Sequence, residues 1–339
     1  MDYKDVLKSA RQNLNGSCRV CAVCNGKACS GEVPGMGGKG TGQAFTSNID
    51  ALNSYKLNMR LIHDAKHPDT SVNIFGKDMD IPVFAAPVSG TTLNMGGKIS
   101  EEDYISWVIG GCLDAGIYPM VGDTAVDSFL ITNLKQLEKF NGEGIAVIKP
   151  WENKNVINKI KLAEKAGAFA IGMDIDAAGL ITLALHGKPV EPKTVEEIKE
   201  IVKSTNLPFI LKGVMTVEDA KLAVEAGVDA IVVSDHGGRV LDQTPGVADV
   251  LPKIADEVKG KITIFADGGV RSGVDVLKLI ALGADAVLIG RPFVTASFGG
   301  EREGVKLYVE KLKSELKSAM VLTGCKDIKD IDRKVIYNY

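Results

Sequence analysis

The stretch "AVEAGVDAIVVS", residues 223–234, decides the fold. Its first half has helical character and stops at Ala226-Gly227; its second half is a β-branched apolar run that ends at Ser234. The same order recurs in "AEKAGAFAIGMD" (163–174) and "ALGADAVLIG" (281–290), and more loosely in "CLDAGIYPMVGD" (112–123). A continuous apolar run, rather than an alternating one, marks a strand buried on both faces, and helices between such runs are what join parallel strands. Buried-type runs occur at 82–86, 117–121, 144–149, 168–173, 208–212, 229–233, 262–266 and 285–289. Segments of helical period lie between them, among them "EEDYISWVIGGCLDAG", "TVEEIKEIVKST" and "TVEDAKLAVEAG". Eight strands alternating with helices predict an α/β fold, a closed (β/α)8 barrel over 81–339, rather than an open doubly wound sheet.

Residues 1–80 form an extension before the barrel. It holds four cysteines and the stretch "SVNIFGKDMDIP", read as a hairpin turning at Gly76-Lys77 across the barrel floor. From about residue 300, "EREGVKLYVEKLKSELKSAMVLTG" predicts a C-terminal amphipathic helix. The 339 residues are 45% hydrophobic with a formal net charge of −3, enough for a large core. No Lys/Arg block argues for nucleic acid, and no apolar run approaches the ~20 residues of a membrane span. The start "MDYKDVLKSARQNL" is charged from residue 2 and lacks the apolar segment of a secretion signal, so a cytoplasmic protein is expected. A homo-oligomer is expected as well.

In such a barrel the chemistry sits at the C-terminal ends of the strands. The residues there are Pro87, Val88 and Ser89; Gly122; Lys149; Asp174 and Asp176; Lys212; Ser234, His236 and Arg239; Asp267, Gly268, Gly269 and Arg271; and Gly290 with Arg291. The last two groups, "ADGGVRSG" and "IGR", are glycine-rich, and the first opens into a helix. Backbone N–H groups there, with the arginines, make an anion site of the kind barrels use for phosphate. No G-x-G-x-x-G strand–turn–helix for a dinucleotide appears, so one phosphate is expected.

"SDHGGR" after the run 229–233, "LKG" after 208–212 and "ADGGVRSG" after 262–266 resemble the FMN-dependent 2-hydroxy-acid oxidase and dehydrogenase family, relatives of glycolate and lactate oxidases. The resemblance is dense over about 205–295 and weaker over 45–180. It implies FMN and a small carboxylate substrate, with His236 as the base, Asp176 orienting it, and Arg239 clamping the substrate carboxylate. Lys212 would lie beside flavin N1, Ser234 would touch the flavin, and Asp267, Gly269, Arg271, Gly290 and Arg291 would hold ribityl and phosphate. The chemistry agrees: abstraction at a hydroxyl-bearing carbon needs a base near neutral pH, and a guanidinium fork fixes a carboxylate in one orientation.

The chain departs from the family around the substrate. Asp176-Ala177-Ala178-Gly179-Leu180 lacks the family's second arginine, and "AVIKPW" has Val147 and Lys149 where glutamine and tyrosine are usual. "GEVPGMGGKGTGQ" offers no match to the N-terminal active-site tyrosine, Asp235 replaces asparagine, and Asp174 stands at a threonine position. Lys149 is a candidate to replace the lost guanidinium at the substrate, or to touch the flavin. Two other readings compete: a type 2 isopentenyl diphosphate isomerase-like flavoenzyme, and a flavin or iron–sulfur electron carrier or sensor. The His236/Arg239 pair argues against the isomerase.

Cys18, Cys21, Cys24 and Cys29 follow C-x2-C-x2-C-x4-C. This spacing resembles a ferredoxin-type iron–sulfur run, one residue longer in its last gap, and four thiolates also suit zinc. A one-electron centre would suit a flavin that must pass its electrons to an acceptor the sequence does not name. "PGMGGKGTG" (34–42) follows as a candidate lid or a plain glycine linker.

Overall fold

A computed structural model describes residues 2–14 and 16–338; Met1, Asn15 and Tyr339 lie outside the described residues. Helices Tyr3–Asn13 and Gln43–Ser54 precede a short antiparallel hairpin, β1 (Val72–Ile74) and β2 (Lys77–Met79). Its two-residue loop is Phe75-Gly76, with φ of 51° and 77°. Two left-handed residues make the tight turn that matches strand twist, so the hairpin turns one residue earlier than expected. The Phe75 ring stands edge-on to Phe265, 6.0 Å away, at the foot of the barrel.

The eight apolar runs become β3 (Val83–Ala85), β4 (Tyr118–Gly122), β5 (Ile145–Ile148), β6 (Ala170–Asp174), β7 (Phe209–Val214), β8 (Ala230–Val233), β9 (Thr263–Ala266) and β10 (Ala286–Ile289). Every neighbouring pair is parallel, and β10 closes on β3, so the sheet is a barrel with helices around it. β5, β6, β8 and β10 are buried at every residue, which is why their sequence shows no alternation.

After β10 the chain runs as helix Arg291–Thr323, broken at Gly300 and Glu301, where φ reaches 54°. The amphipathic helix expected from about 300 is therefore the part beyond this break. Helix Tyr3–Asn13, capped by Asp2, lies against it, with Val6 and Ala10 fully buried. Gly299 permits the approach: a Cβ there would sit 2.0 Å from the Val6 carbonyl oxygen. Each such aliphatic side chain removed from water contributes about 1.5–3 kcal/mol.

Residues 16–42 contain only the three-residue turn Lys27–Cys29 as helix. Side chains strap the segment over the barrel mouth. Arg19 forks onto Glu32 within the segment at 2.6 and 2.7 Å, and Lys39 Nζ ties it to the barrel by donating to the carbonyls of Gly179 (2.8 Å) and Val240 (2.6 Å).

Candidate active site

Strand register assembles one side of the mouth. Asp174 ends β6 directly opposite Lys212 on β7, and Lys149 follows the end of β5. Lys149 Nζ lies 2.5 Å from Asp174 Oδ2, and Lys212 Nζ lies 3.2 Å from Asp174 Oδ1 and 3.9 Å from Asp176 Oδ2. All three partners of the central pairings, Lys149, Asp174 and Lys212, are buried. Burial works against the charge on Asp174, but Lys149 and Lys212 outweigh it and hold the carboxyl well below its usual range. Burial likewise opposes the Lys212 ammonium, and Asp174, Asp176 and Asp267 outweigh it, so its pKa is raised.

The register of β7 against β8 shifts between Lys212 and Val214, where Gly213 has φ 107°. A Cβ on Gly213 would lie 2.6 Å from Asp176 Cβ, so the glycine after Lys212 is what lets Asp176 come close. His236 has φ 58° and is followed by Gly237 and Gly238 at 63° and 78°. This left-handed turn throws the imidazole over the strand ends. Its Nδ1 lies 3.0 Å from Asp176 Oδ1 and 3.4 Å from Lys212 Nζ. A carboxylate accepts only, and an ammonium donates only, so the nearer Asp176 places the ring proton on Nδ1 and leaves Nε2 as the basic nitrogen. Burial, then the Lys212 charge, lowers the His236 pKa from 6.5, and Asp176 partly offsets them. The His236 backbone N–H donates to Ser234 Oγ (3.0 Å), which donates to Asp267 Oδ2 (2.8 Å).

The other side of the mouth is built of guanidiniums. Arg291 donates to the carbonyls of Met36 (2.7 Å), Gly37 and Gly237 (both 3.0 Å), and stacks on Phe45 with its guanidinium carbon 3.9 Å from the ring centroid. Arg239 donates to the Gly35 carbonyl (2.5 Å) and to Asn94 Oδ1 (2.9 Å). Arg271 donates to the Val270 carbonyl (2.8 Å) and reaches Cys24 Sγ at 3.5 Å. Among the described residues none of the three makes an ion pair with a carboxylate. Carbonyl oxygens take many of these N–H groups but do not neutralise the charge, and burial lowers the pKa of both Arg239 and Arg291.

A cavity of about 150 Å³ joins the two sides. Of the residues singled out from sequence, Pro87, Val88, Ser89, Lys149, Lys212, His236, Arg239, Asp267, Gly268, Gly269, Arg271, Gly290 and Arg291 line it. Asp176 and Ser234 stand behind His236, and Asp174 lies between the two lysines. Lys149, expected at the substrate, already has a carboxylate partner within the protein. Gly122 lies beneath the wall: its carbonyl accepts from Asn133, and a Cβ there would meet the Pro87 carbonyl oxygen at 2.4 Å. Its part is to let the Pro87 loop pack.

Several residues escaped sequence reading. Asn94 and the Gly35 carbonyl anchor Arg239, and Glu101 accepts from Ser89 Oγ (2.6 Å) and the N–H groups of Gly90 and Thr91. Met36, Thr182 and Leu183 also line the cavity. They lie on irregular or distant segments whose meeting no local pattern announces.

The four clustered cysteines are free and line a second cavity of about 380 Å³, which shares Arg271 and Arg291 with the first. Among the described residues, one group of three possible ligands has its atoms within 4.8 Å of one another: Asp174, Asp176 and His236. Lys212 occupies the space a cation would need there. The thiols are not gathered in this way. Tetrahedral zinc would bring its sulfurs to roughly 3.8 Å from one another, given a Zn–S bond of about 2.3 Å. The four thiols instead line a cavity, without the convergence on one point that bound zinc would impose.

The mouth fits a flavin mononucleotide. Gly268 and Gly269, with φ of 79° and 83°, form a backbone cradle between Arg271 and Arg291. A Cβ on Gly268 would collide with Asn48 at 2.4 Å, so the turn tolerates no side chain. Buried Asp267 Oδ1 has no hydrogen-bond partner among the described residues, and burial raises its carboxyl to about 7. A sugar-alcohol hydroxyl suits that oxygen. An anion cradle, a buried lysine and a histidine held by a carboxylate, all on one barrel mouth, define a flavin-dependent oxidoreductase.

Comparison with known proteins agrees. The family model described as FMN-dependent dehydrogenase matches residues 35–184 and 182–338. The chain belongs to the FMN-dependent dehydrogenase family. It is 30% identical to 2-hydroxyacid oxidase 1 of Homo sapiens, covering 87% of this chain and 88% of that one. It is 31% identical to an L-lactate oxidase of Lysinibacillus sphaericus (strain C3-41), covering 92% and 91%. A crystal structure of a mandelate oxidase variant with 2-hydroxy-phenylacetamide superposes with a TM-score of 0.81 at 29% identity, covering 99% of this chain and 97% of that one. These findings favour neither the diphosphate isomerase nor the electron carrier. No helix among the described residues is long and apolar enough to cross a membrane.

Proposed function

We propose that the protein oxidises a small 2-hydroxy acid to the 2-oxo acid, with His236 as the base and Arg239 as the carboxylate anchor. The observation that carries this reading is the 3.0 Å contact of His236 Nδ1 with Asp176, which leaves Nε2 basic on a cavity that Arg239 also lines. FMN, when bound, supplies the acceptor for the two electrons that leave the substrate carbon.

The chain's own residues do the rest. Arg239 presents a planar fork to the carboxylate and fixes the reacting carbon in one orientation. His236 Nε2 takes a proton from the substrate, and Asp176 stabilises the imidazolium that forms. Burial and Lys212 keep the ring neutral beforehand, which is the state a base needs. Lys212 stands ready as a fixed cation for negative charge on the reduced ring. The Gly268–Gly269 turn with Arg271 and Arg291 holds the phosphate, and Asp267 with Ser234 holds the ribityl chain. Leu180, Leu183 and Met95 give the substrate an apolar wall.

The test is anaerobic mixing of the FMN-loaded protein with short 2-hydroxy acids, their 2-amino analogues and the corresponding acids lacking the hydroxyl. Bleaching of the flavin bands by a 2-hydroxy acid, and not by the deoxy acids, is expected. A flavin that light reduces but no 2-hydroxy acid does would overturn the proposal.

A further inference from the structure

Behind the guanidinium side lies the second cavity, about 380 Å³, walled by Cys18, Cys21, Cys24 and Cys29 on one side and by Arg271 and Tyr308 on another. We infer that it houses an iron–sulfur cluster ligated by these four cysteines, directly behind the cations of the phosphate cradle.

Four thiols within twelve residues converge on one cavity, yet no three of them lie within 4.8 Å of one another as ligands of a single ion would. A polynuclear cluster carries one thiolate on each of several irons and holds its cysteines farther apart than one ion can. Thiols that line one cavity without meeting at a point suit a cluster better than a single zinc ion. None of the four is in a disulfide.

Charge points the same way. A cluster held by four thiolates is an anion. Arg271 Nη2 is 3.5 Å from Cys24 Sγ, and neither Arg271 nor Arg291 has a carboxylate partner among the described residues. Among the described residues the single carboxylate on the cavity wall, Asp275, is engaged in capping: it accepts from the N–H groups of Arg271 and Ser272 and from Ser272 Oγ.

A second and independent sign is unsatisfied donors. Tyr308 is 2% exposed and lines the cavity, and among the described residues its hydroxyl has no hydrogen-bond partner; Arg271 Nε is likewise buried and unpartnered. A buried hydroxyl without a partner costs about 1–3 kcal/mol, and inorganic sulfides and thiolates are acceptors that would relieve it. Residues 16–42 also have almost no regular structure and little apolar core of their own. Metal ligation stabilises such segments directly, because binding energy becomes folding energy.

Because Arg271 and Arg291 line both cavities, the cluster would sit at the phosphate end of the flavin and fix the cradle from behind. The inference does not depend on the substrate proposed above.

The test uses the full chain purified without oxygen, then treated with ferrous iron and sulfide. Iron and acid-labile sulfide in equal amounts, with broad absorption beyond the flavin bands, are expected in the parent and lost in the Cys18→Ser/Cys24→Ser double variant. Should that variant not fold, Cys21→Ser, at the exposed position, is expected to fold with changed iron content or an altered paramagnetic resonance spectrum. Zinc without sulfide, or a treated parent that absorbs as flavin alone, would overturn the inference. So would variants that keep the parent's iron and sulfide.

Discussion

The two sides of the barrel mouth handle charge in opposite ways. On the β5–β7 side every buried carboxylate has a lysine: Asp174 bridges Lys149 and Lys212, and Asp176 faces Lys212 and His236. On the β8–β10 side Arg239, Arg271 and Arg291 have carbonyls, an amide and a thiol for partners, and no acid. A side that is internally neutral can tune a proton donor or acceptor without a ligand. A side left cationic is complete only when anions arrive. His236 reaches across from the turn after β8 to Asp176, so proton transfer belongs to the first side and anion binding to the second.

The largest effect that could break this contrast is in flavin binding. Riboflavin, which lacks the phosphate, should bind the flavin-free protein at least ~10²-fold more weakly than FMN, the scale of leaving buried charge unpaired. Equal affinities in a fluorescence titration would mean the guanidinium side does not recognise phosphate. Next is Gly213→Ala, whose Cβ would meet Asp176 and whose backbone sits at φ 107°. Displacing the partner of His236 should slow substrate-driven flavin reduction by about 10–10²-fold, as misplacement by an ångström does, with FMN affinity unchanged. An unaltered rate would show that the Asp176 contact does not position the base.

Lys149→Met sharpens the same contrast on a smaller scale. Asp174 would keep Lys212, so the expected loss is about 1–3 kcal/mol of unfolding free energy by denaturant titration, short of the full cost of an orphaned buried charge. A rise in half-saturating substrate concentration beyond ~10-fold would instead put Lys149 at the substrate.

Smallest is the pH response of His236. Its folded pKa is depressed below 6.5, so as pH falls below 6.5 the unfolded chain takes up the proton first and stability declines. The rate of flavin reduction should fall on the same side, with a midpoint below 6.5. An acid limb above that value would contradict the burial of a neutral ring.

What could be read from the sequence follows from what was local. All eight apolar runs became β3–β10 because burial on both faces writes itself into consecutive residues. Lys149, Asp174, Lys212, Ser234 and Asp267 were legible because each is the first polar group at the end of such a run. The pairing of Lys149 with Asp174 was not, since it depends on the register of β5, β6 and β7 together. Gly122 looked like a ligand turn, yet its close neighbour is the Pro87 carbonyl, an approach no spacing reveals. Nor could the fold of 16–42 be read, for it has no period, and its contacts with Arg239 and Arg291 span more than two hundred residues of chain.

The claim that proton transfer and anion binding lie on opposite sides is tested most directly by anaerobic stopped-flow reduction of the flavin by a 2-hydroxy acid, across substrate concentration, in the parent, His236→Gln and Arg239→Lys. His236→Gln is expected to lower the limiting rate by at least ~10²-fold with little change in the half-saturating concentration. Arg239→Lys, which exchanges a fork for a point charge, should chiefly raise that concentration. A parental limiting rate in His236→Gln, or unchanged saturation in Arg239→Lys, would contradict that claim.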